Sequence, residues 1–401
     1  MSCLHFCFIL ALIHVSFCFN ISETDNKEIV RSNSSSLIDS EDADLNITRL
    51  VTKYGYNIEQ HKVITEDGYV LTVYRIPPRI NLKRNIPIFL MHGLLDSSDA
   101  WILQGPKYAL AYILADKGFD VWMGNARGNK YSTEHTSLKR SGSEYWKFSW
   151  DEISYYDLPA MIDYTLKETG FRKLYYVGHS QGTTTSYVMM SLRPEYNNRV
   201  DLMFSLSPVA WMSNAKSFML KLFAPTYGLL NYLPSNTYVD HYNTILGLIC
   251  KYFLTACDNY IQQVIGHDFK YTEPHFLRVI FAHTSSAGLR QFFHYGQLYS
   301  SGRFCRYDYG LIENLLKYKS VTPPEYDLTK VTVPIQLFYS DNDWLSNVTD
   351  VKILYSKLPN VAATYRLNKF NHLDYLYAKV ARDLVYNKII QEIEEKETIG
   401  K

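Results

Sequence analysis

Residues 174–190 read LYYVGHSQGTTTSYVMM, and this stretch decides the fold. Leu174-Tyr-Tyr-Val177 has the short, apolar, aromatic and β-branched character of a buried strand. Gly178-His-Ser-Gln-Gly182 follows, and a helix-like run continues through Met190. A serine at the centre of G-x-S-x-G, directly after a strand and directly before a helix, sits on a strained turn that tolerates only small flanking residues. Such a turn lifts Ser180 to the C-terminal edge of a sheet beside a helix N-terminus. The pentapeptide alone says little, and an idle serine in a glycine-rich turn is the bland alternative. The strand–turn–helix context favours a nucleophile.

Working outward, strand and helix signals alternate on both sides of this turn. Tyr56–Pro77 holds two β-like runs around Glu66-Asp-Gly68, a hairpin signal. Pro87–Met91 is a short buried-strand pattern that runs into His92-Gly93, and Lys107–Lys117 has helical spacing ended by Gly118. Phe119–Trp122 is a further strand, 157–168 a helix stopped by Gly170, and Asp201–Leu206 another strand. The alternation implies a mostly parallel sheet covered on both faces, an α/β fold. It pauses between Pro208 and Val331, where the chain is apolar, aromatic and helix-like, and resumes at Val333–Phe338. A helical insertion after one sheet strand fits this pattern.

A serine hydroxyl is a weak nucleophile and needs a base oriented by an acid. On this kind of sheet the acid and base follow the serine in the chain. Tyr339-Ser-Asp-Asn-Asp-Trp344 follows a strand end, so Asp341 and Asp343 both qualify, one of them as a turn-capping residue. His372, in Phe370-Asn-His-Leu-Asp374, is the sole histidine after His294 and is the candidate base. Backbone N–H groups for an oxyanion are offered by the His92-Gly-Leu-Leu95 loop and by Gln181, the residue after the serine.

The composition excludes other classes. Of 401 residues, 47% are hydrophobic and 15% aromatic, so the chain can bury a large core. Basic and acidic residues number 41 and 40, a net charge of +1, which argues against electrostatic binding of nucleic acid. No CxxC or HExxH pattern marks a metal site, and no cofactor motif is present. Phe6–Phe19 is apolar and uncharged, too short to span a bilayer, with Ser16 and Cys18 placed for cleavage before Phe19. It reads as a signal peptide over 1–18, and no later run is long enough for a membrane span. A Ser-, Asn- and acid-rich stretch over 19–48 reads as a flexible leader. Asn20, Asn33, Asn46 and Asn347 open N-x-[ST] sequons, which export would make available for glycosylation. Cys3, Cys7 and Cys18 fall in the signal peptide, leaving Cys250, Cys257 and Cys305. Cys250 and Cys257 lie seven apart on a helix-like run, too far for a bond with each other, and of the three cysteines at least one is unpaired or bridges another chain.

The chain resembles the acid lipase family, which includes gastric and lysosomal acid lipases and insect relatives. The resemblance runs from about Leu45 to Glu394. It rests on Thr65-Glu-Asp-Gly-Tyr69, Arg75-Ile-Pro77, His92-Gly-Leu-Leu95, Asn125-Ala-Arg-Gly-Asn129, Tyr156-Asp-Leu-Pro-Ala160, Gly178-His-Ser-Gln-Gly182, His294-Tyr-Gly-Gln297, Tyr307-Asp-Tyr-Gly310 and Asn371-His-Leu-Asp374. It implies the α/β-hydrolase fold in two parts, 49–210 and 332–401, with a helical cap over 211–331 and a lid near Leu229–Asp258. It implies Ser180 as nucleophile, Asp343 as acid, His372 as base, and Leu94 and Gln181 as oxyanion donors. It selects Asp343 over Asp341 because Asp343-Trp-Leu345 through Asp350-Val351 fits the family's D-x-L-x4-D-V run. The family's cap segment lacks its proline in Thr284–Gly288, and Asn347 stands where a proline is usual. The expected activity is hydrolysis of neutral-lipid esters at a lipid–water interface by a secreted or lysosomal enzyme needing no cofactor. The alternatives are a soluble carboxylesterase, or a catalytically silent lipase-fold protein that carries or stores lipid. Loss of a triad residue would mark the silent form, and none is lost.

Overall fold

A computed structural model of the chain describes residues 41–79, 86–224, 238–239, 254–267, 272 and 276–399. All of them lie in one compact unit, Leu37–Lys401. Eight strands form the main sheet: β1 (Glu59–Ile64), β2 (Tyr69–Ile76), β3 (Pro87–Met91), β4 (Asp120–Met123), β5 (Leu174–His179), β6 (Val200–Leu206), β7 (Ile335–Ser340) and β8 (Val361–Leu367). Their order is β1-β2-β4-β3-β5-β6-β7-β8, and a two-residue strand at Glu134–His135 adds to β2. The pairs β1–β2 and β2–β4 are antiparallel, and every pair from β4 to β8 is parallel.

The hairpin between β1 and β2 turns at Gly68, whose φ of +98° suits glycine. A Cβ there would come 2.6 Å from Thr136 Oγ1. The central strands β3, β4 and β5 are buried throughout, as strands covered on both faces must be. The pleat sends Ile88, Leu90, Tyr175 and Val177 to one face and Phe89, Met91, Leu174 and Tyr176 to the other. Helix α1 (Leu110–Asp116) packs on the first face, and α2 (Leu158–Thr169) and α3 (Gln181–Leu192) on the second. The helical run expected over Lys107–Lys117 is broken at Ala109, which is extended.

Between β6 and β7 the chain leaves the sheet. The described part of this excursion carries α4 (Leu254–Ile265), α5 (Phe276–His283), α6 (Leu289–Ser301) and α7 (Leu311–Tyr318). A two-residue ladder joins Tyr238–Val239 to Ala287–Gly288. After β7 come α8 (Val348–Lys357) and, at the C-terminal end of the described chain, α9 (Asn387–Ile399).

Two expectations are corrected. The leader does not extend to Thr48 as flexible chain. Asp42 is buried, its carboxylate accepts from Lys53 Nζ at 2.7 Å and Tyr54 OH at 2.5 Å, and its carbonyl accepts from His283 Nε2 at 3.0 Å. Asn46 caps the helix Ile47–Lys53 by accepting from Arg49 N, and Ile47, Leu50 and Val51 pack into the core. The polar residues before Ile47 therefore dock and cap as well as solvate. The second correction concerns cysteine. Cys257 is disulfide-bonded, whereas Cys305 is a free, buried thiol, so the partner of Cys257 lies outside the described residues. Residues 250–253 lie outside the described residues, and the described part of the helix begins at Leu254.

Candidate active site

The site is built where parallel strands end. β5 delivers His179 and then Ser180, which adopts φ 51°, ψ −117° before α3 begins at Gln181. Few L-residues tolerate this conformation, which costs about 1–3 kcal/mol and must be held by its surroundings. Close packing holds it. A Cβ on Gly178 would lie 2.8 Å from the Gly182 carbonyl carbon, and one on Gly182 would lie 2.3 Å from Met91 O. Ser180 N donates to Leu206 O at 3.1 Å, and Ser180 O accepts from Thr183 Oγ1 at 2.6 Å.

His372 lies in the loop after β8, and its Nε2 is 2.7 Å from Ser180 Oγ. Its Nδ1 faces the Asp343 carboxylate at 3.0 and 3.1 Å. Asp343 is buried in the loop after β7 and also accepts from Leu345 N at 3.0 Å and Ser346 N at 2.8 Å. Burial alone would raise its pKa, but the His372 imidazole, the Ser207 hydroxyl and Ser346 N hold the carboxyl below its ordinary value. It therefore stays ionised and acceptor-only, which places the shared proton on His372 Nδ1 and leaves the Nε2 lone pair to face Ser180. Asp341 is elsewhere: it is exposed and pairs with Arg366 at 2.6 Å. The structure brings Ser180, His372 and Asp343 together and leaves Asp341 out.

The His92–Leu95 loop abuts Ser180. A Cβ on Gly93 would lie 3.2 Å from Ser180 Cβ, a tight contact that glycine avoids. His92 is buried and pushed down to about 4 by burial, hence neutral. Its Nδ1–H donates to Gly93 O at 2.7 Å and its Nε2 accepts from Ala126 N at 3.2 Å, so it shapes the loop. Leu94 follows Gly93 in this loop. Gln181 is the first residue of α3, where a backbone N–H has no partner within the helix.

Three supports were not visible in the sequence. His179 is pushed down to about 3 by burial and donates from Nε2 to His372 O at 2.8 Å. Ile265 O, at the end of α4, accepts from both Trp344 N and His372 N at 3.2 Å, so the segment inserted between β6 and β7 ties the acid loop to the base loop. Ser207, one residue past β6, touches both Asp343 and His372. Its signal was a polar residue closing the strand that lies between the nucleophile strand and the acid strand, but strand order cannot be read from the sequence.

Of the four sequons, Asn20 and Asn33 lie outside the described residues. Asn46 is exposed, while Asn347 is 9% exposed and caps α8 by accepting from Thr349 N at 2.9 Å. Among the described residues no cluster of three or more His, Cys, Asp or Glu could hold a metal.

A parallel sheet carrying a strained serine elbow, with histidine and acid supplied from later strand ends, defines an α/β-hydrolase. Residues 86–379 match the family described as alpha/beta hydrolase fold, and residues 47–105 match the partial alpha/beta-hydrolase lipase region. The chain is 41% identical over 360 residues to Lipase 3 of Drosophila melanogaster, covering 86% of this chain and 91% of that protein. It is 37% identical over 367 residues to the gastric triacylglycerol lipase of Bos taurus, covering 88% and 92%. A thermophilic esterase from Thermogutta terrifontis shares the fold alone, with a TM-score of 0.50 at 13% identity over 84% of this chain and 98% of that one. The chain belongs to the acid lipase family, a branch of the α/β-hydrolases that hydrolyse carboxylic esters.

Proposed function

We propose that the protein hydrolyses carboxylic esters of neutral lipids through an acyl-enzyme on Ser180. The observation that carries this reading is the 2.7 Å contact between Ser180 Oγ and His372 Nε2, with Asp343 behind Nδ1. Ser180 Oγ attacks the ester carbonyl carbon and its proton passes to His372 Nε2. Backbone N–H groups of Leu94 and Gln181 take the developing oxyanion. The tetrahedral intermediate collapses, the C–O bond to the alcohol breaks, and the alcohol leaves with the proton held on His372. Water then attacks the acyl carbon, giving one proton to His372. As the carboxylic acid departs, that proton returns to Ser180 Oγ. Asp343 stays ionised throughout and stabilises the transient imidazolium.

A lipid surface as the place of action is supported by α7. Leu311, Ile312, Leu315 and Leu316, with Val321 just beyond, are 49–74% exposed. The buried residue of this helix is Asn314, which donates to Asp308 Oδ1 at 2.7 Å and Val321 O at 3.1 Å and accepts from Tyr309 N at 2.9 Å. The helix is thus held by its polar side and presents its apolar side outward. Exposed apolar residues grouped on one element, rimmed by polar ones, mark an interaction surface for lipid or protein. Lys317 and Lys319 border it, as on helices that lie in a lipid interface. The same segment Trp211–Val331 is read as a cap whose opening admits lipid to Ser180. The lid expected near Leu229–Asp258 lies largely outside the described residues. Export to the cell exterior or lysosome, after loss of residues 1–18 and glycosylation, completes the reading.

Hydrolysis of a panel of emulsified long-chain and soluble short-chain esters across pH, by protein recovered from medium, tests the proposal. Activity that rises when the ester is emulsified is expected, and Ile312→Ser with Leu316→Ser should lower it on emulsions alone. Equal rates on soluble and emulsified esters would point to a carboxylesterase.

A further inference from the structure

We propose that Ser207 is a positioning residue of the catalytic machinery, a fourth member of the hydrogen-bonded chain that fixes Asp343 and His372 against each other. β6 runs between β5 and β7, so the residue that closes β6 emerges between the nucleophile and the acid. Ser207 N donates to Phe338 O of β7 at 2.9 Å, which pins its backbone there. Its Oγ lies 2.5 Å from Asp343 Oδ2 and 2.7 Å from His372 Nδ1, fully buried.

A hydroxyl has one proton and two lone pairs, and a carboxylate oxygen can only accept. The Ser207 proton therefore goes to Oδ2, and a lone pair faces His372 Nδ1–H. The two other donors to Asp343, Leu345 N and Ser346 N, both address Oδ1. Oδ2 thus has Ser207 as its shortest partner, and the imidazole contact to it is longer, at 3.1 Å. The hydroxyl bridges the pair. It stops the carboxylate from rotating about its own axis and holds the proton of His372 on Nδ1. That leaves the Nε2 lone pair free to receive the Ser180 proton during attack. When that proton arrives, the Nδ1–H of the imidazolium remains shared between Ser207 Oγ and the carboxylate.

The backbone agrees. Ser207 has φ +53°, a conformation glycine adopts without strain and other L-residues adopt at a cost. The side chain, rather than the backbone, is the reason a serine suits this position.

The inference rests on the Ser180–His372–Asp343 reading, and the test separates the two. Ser207→Gly and Ser207→Ala are compared with wild type on a soluble ester, and the rate of labelling of Ser180 by an organophosphonate is measured alongside. Glycine suits the positive φ and removes the hydroxymethyl group, whereas alanine keeps the Cβ and removes only the hydroxyl. Loss of a buried charge-assisted hydrogen bond predicts a fall of roughly tenfold in kcat and in labelling rate for both variants, with KM within about twofold. In an Asp343→Asn background, Ser207→Gly should cost less than about twofold, because a residue acting through the carboxylate has nothing left to position. Wild-type kcat and labelling in Ser207→Gly would overturn the inference. So would a loss confined to Ser207→Ala, or a full additional loss in the Asp343→Asn background. A wild-type protein that neither hydrolyses nor labels would overturn this inference and the triad reading together.

Discussion

Replacing Asp343 by Asn changes few atoms and turns the acceptor that faces Ser207 Oγ and His372 Nδ1 into a donor. The amide oxygen can still accept from Leu345 N and Ser346 N, which hold Oδ1 at 3.0 and 2.8 Å. The amide nitrogen then occupies the place of Oδ2 and points a donor at His372 Nδ1–H. Two donors cannot share that contact, so the imidazole moves its proton to Nε2, 2.7 Å from Ser180 Oγ. A protonated Nε2 cannot receive the serine proton, and the base is lost. Comparable tautomer errors in serine hydrolases cost about 10⁴ in kcat, or roughly 5 kcal/mol in the barrier. Asp341→Asn supplies the control. Its carboxylate meets Arg366 in solvent, with both side chains about half exposed. An exposed pair of this kind is largely screened by solvent, and kcat should stay within about twofold. The assay is kcat on a soluble ester, so interfacial binding plays no part. Equal losses in the two variants would refute the reasoning.

Three further outcomes follow from the described geometry. Asp96, in the loop beside Ser180, has its carboxyl pushed up to about 7 from 3.8, first by burial and then by the Asp99 carboxylate. A raised pKa of this sign stabilises the fold fully below about 3.8 and loses that contribution as pH rises through about 7. Buried His92 and His179 act in the opposite sense over part of this range, so the contribution is read as a difference: the Tm of wild type minus that of Asp96→Asn should fall between about pH 5 and 8, and a constant difference would remove Asp96 as a source. Glycosidase treatment of protein from medium should reveal a glycan at Asn46 and little at Asn347, whose side chain is buried and capping; mass spectrometry of the two peptides decides this. Mild reductant should lower Tm, since Cys257 is disulfide-bonded and a bridge typically stabilises by about 2–4 kcal/mol; an unchanged melt would count against a structural role for that bond.

The nucleophile was legible because all its determinants are local. A strand, two glycines and a helix within 17 residues specify the elbow, and the structure shows the contacts that demand those glycines. The parallel sheet was legible for a similar reason, since each strand carries its own apolar run. The acid was less so. Residue types left Asp341 and Asp343 open, because both follow the same strand end. Burial separates them, and burial depends on where β8 and its loop pack. Asp42 and Asn46 misled because docking and capping use the same polar residues as solvated chain. The bond at Cys257 was missed because the helix-like pattern of its run was read as keeping its cysteines apart, and no local pattern marks a disulfide partner. Ser207, His179 and Ile265 act across separations of 79 residues or more, from Ile265 to Trp344, and no local pattern marks such contacts.

The most direct measurement is labelling of the intact protein by a radioactive or fluorescent organophosphonate, with the modified peptide identified. The account predicts one equivalent of label on Ser180, loss of ester hydrolysis in step with labelling, and neither labelling nor hydrolysis in Ser180→Ala. That variant should retain its fold and its secretion, with activity down by roughly 10⁴ to 10⁶. Label on another residue, or Ser180→Ala that keeps more than about a tenth of wild-type activity, would contradict the central claim.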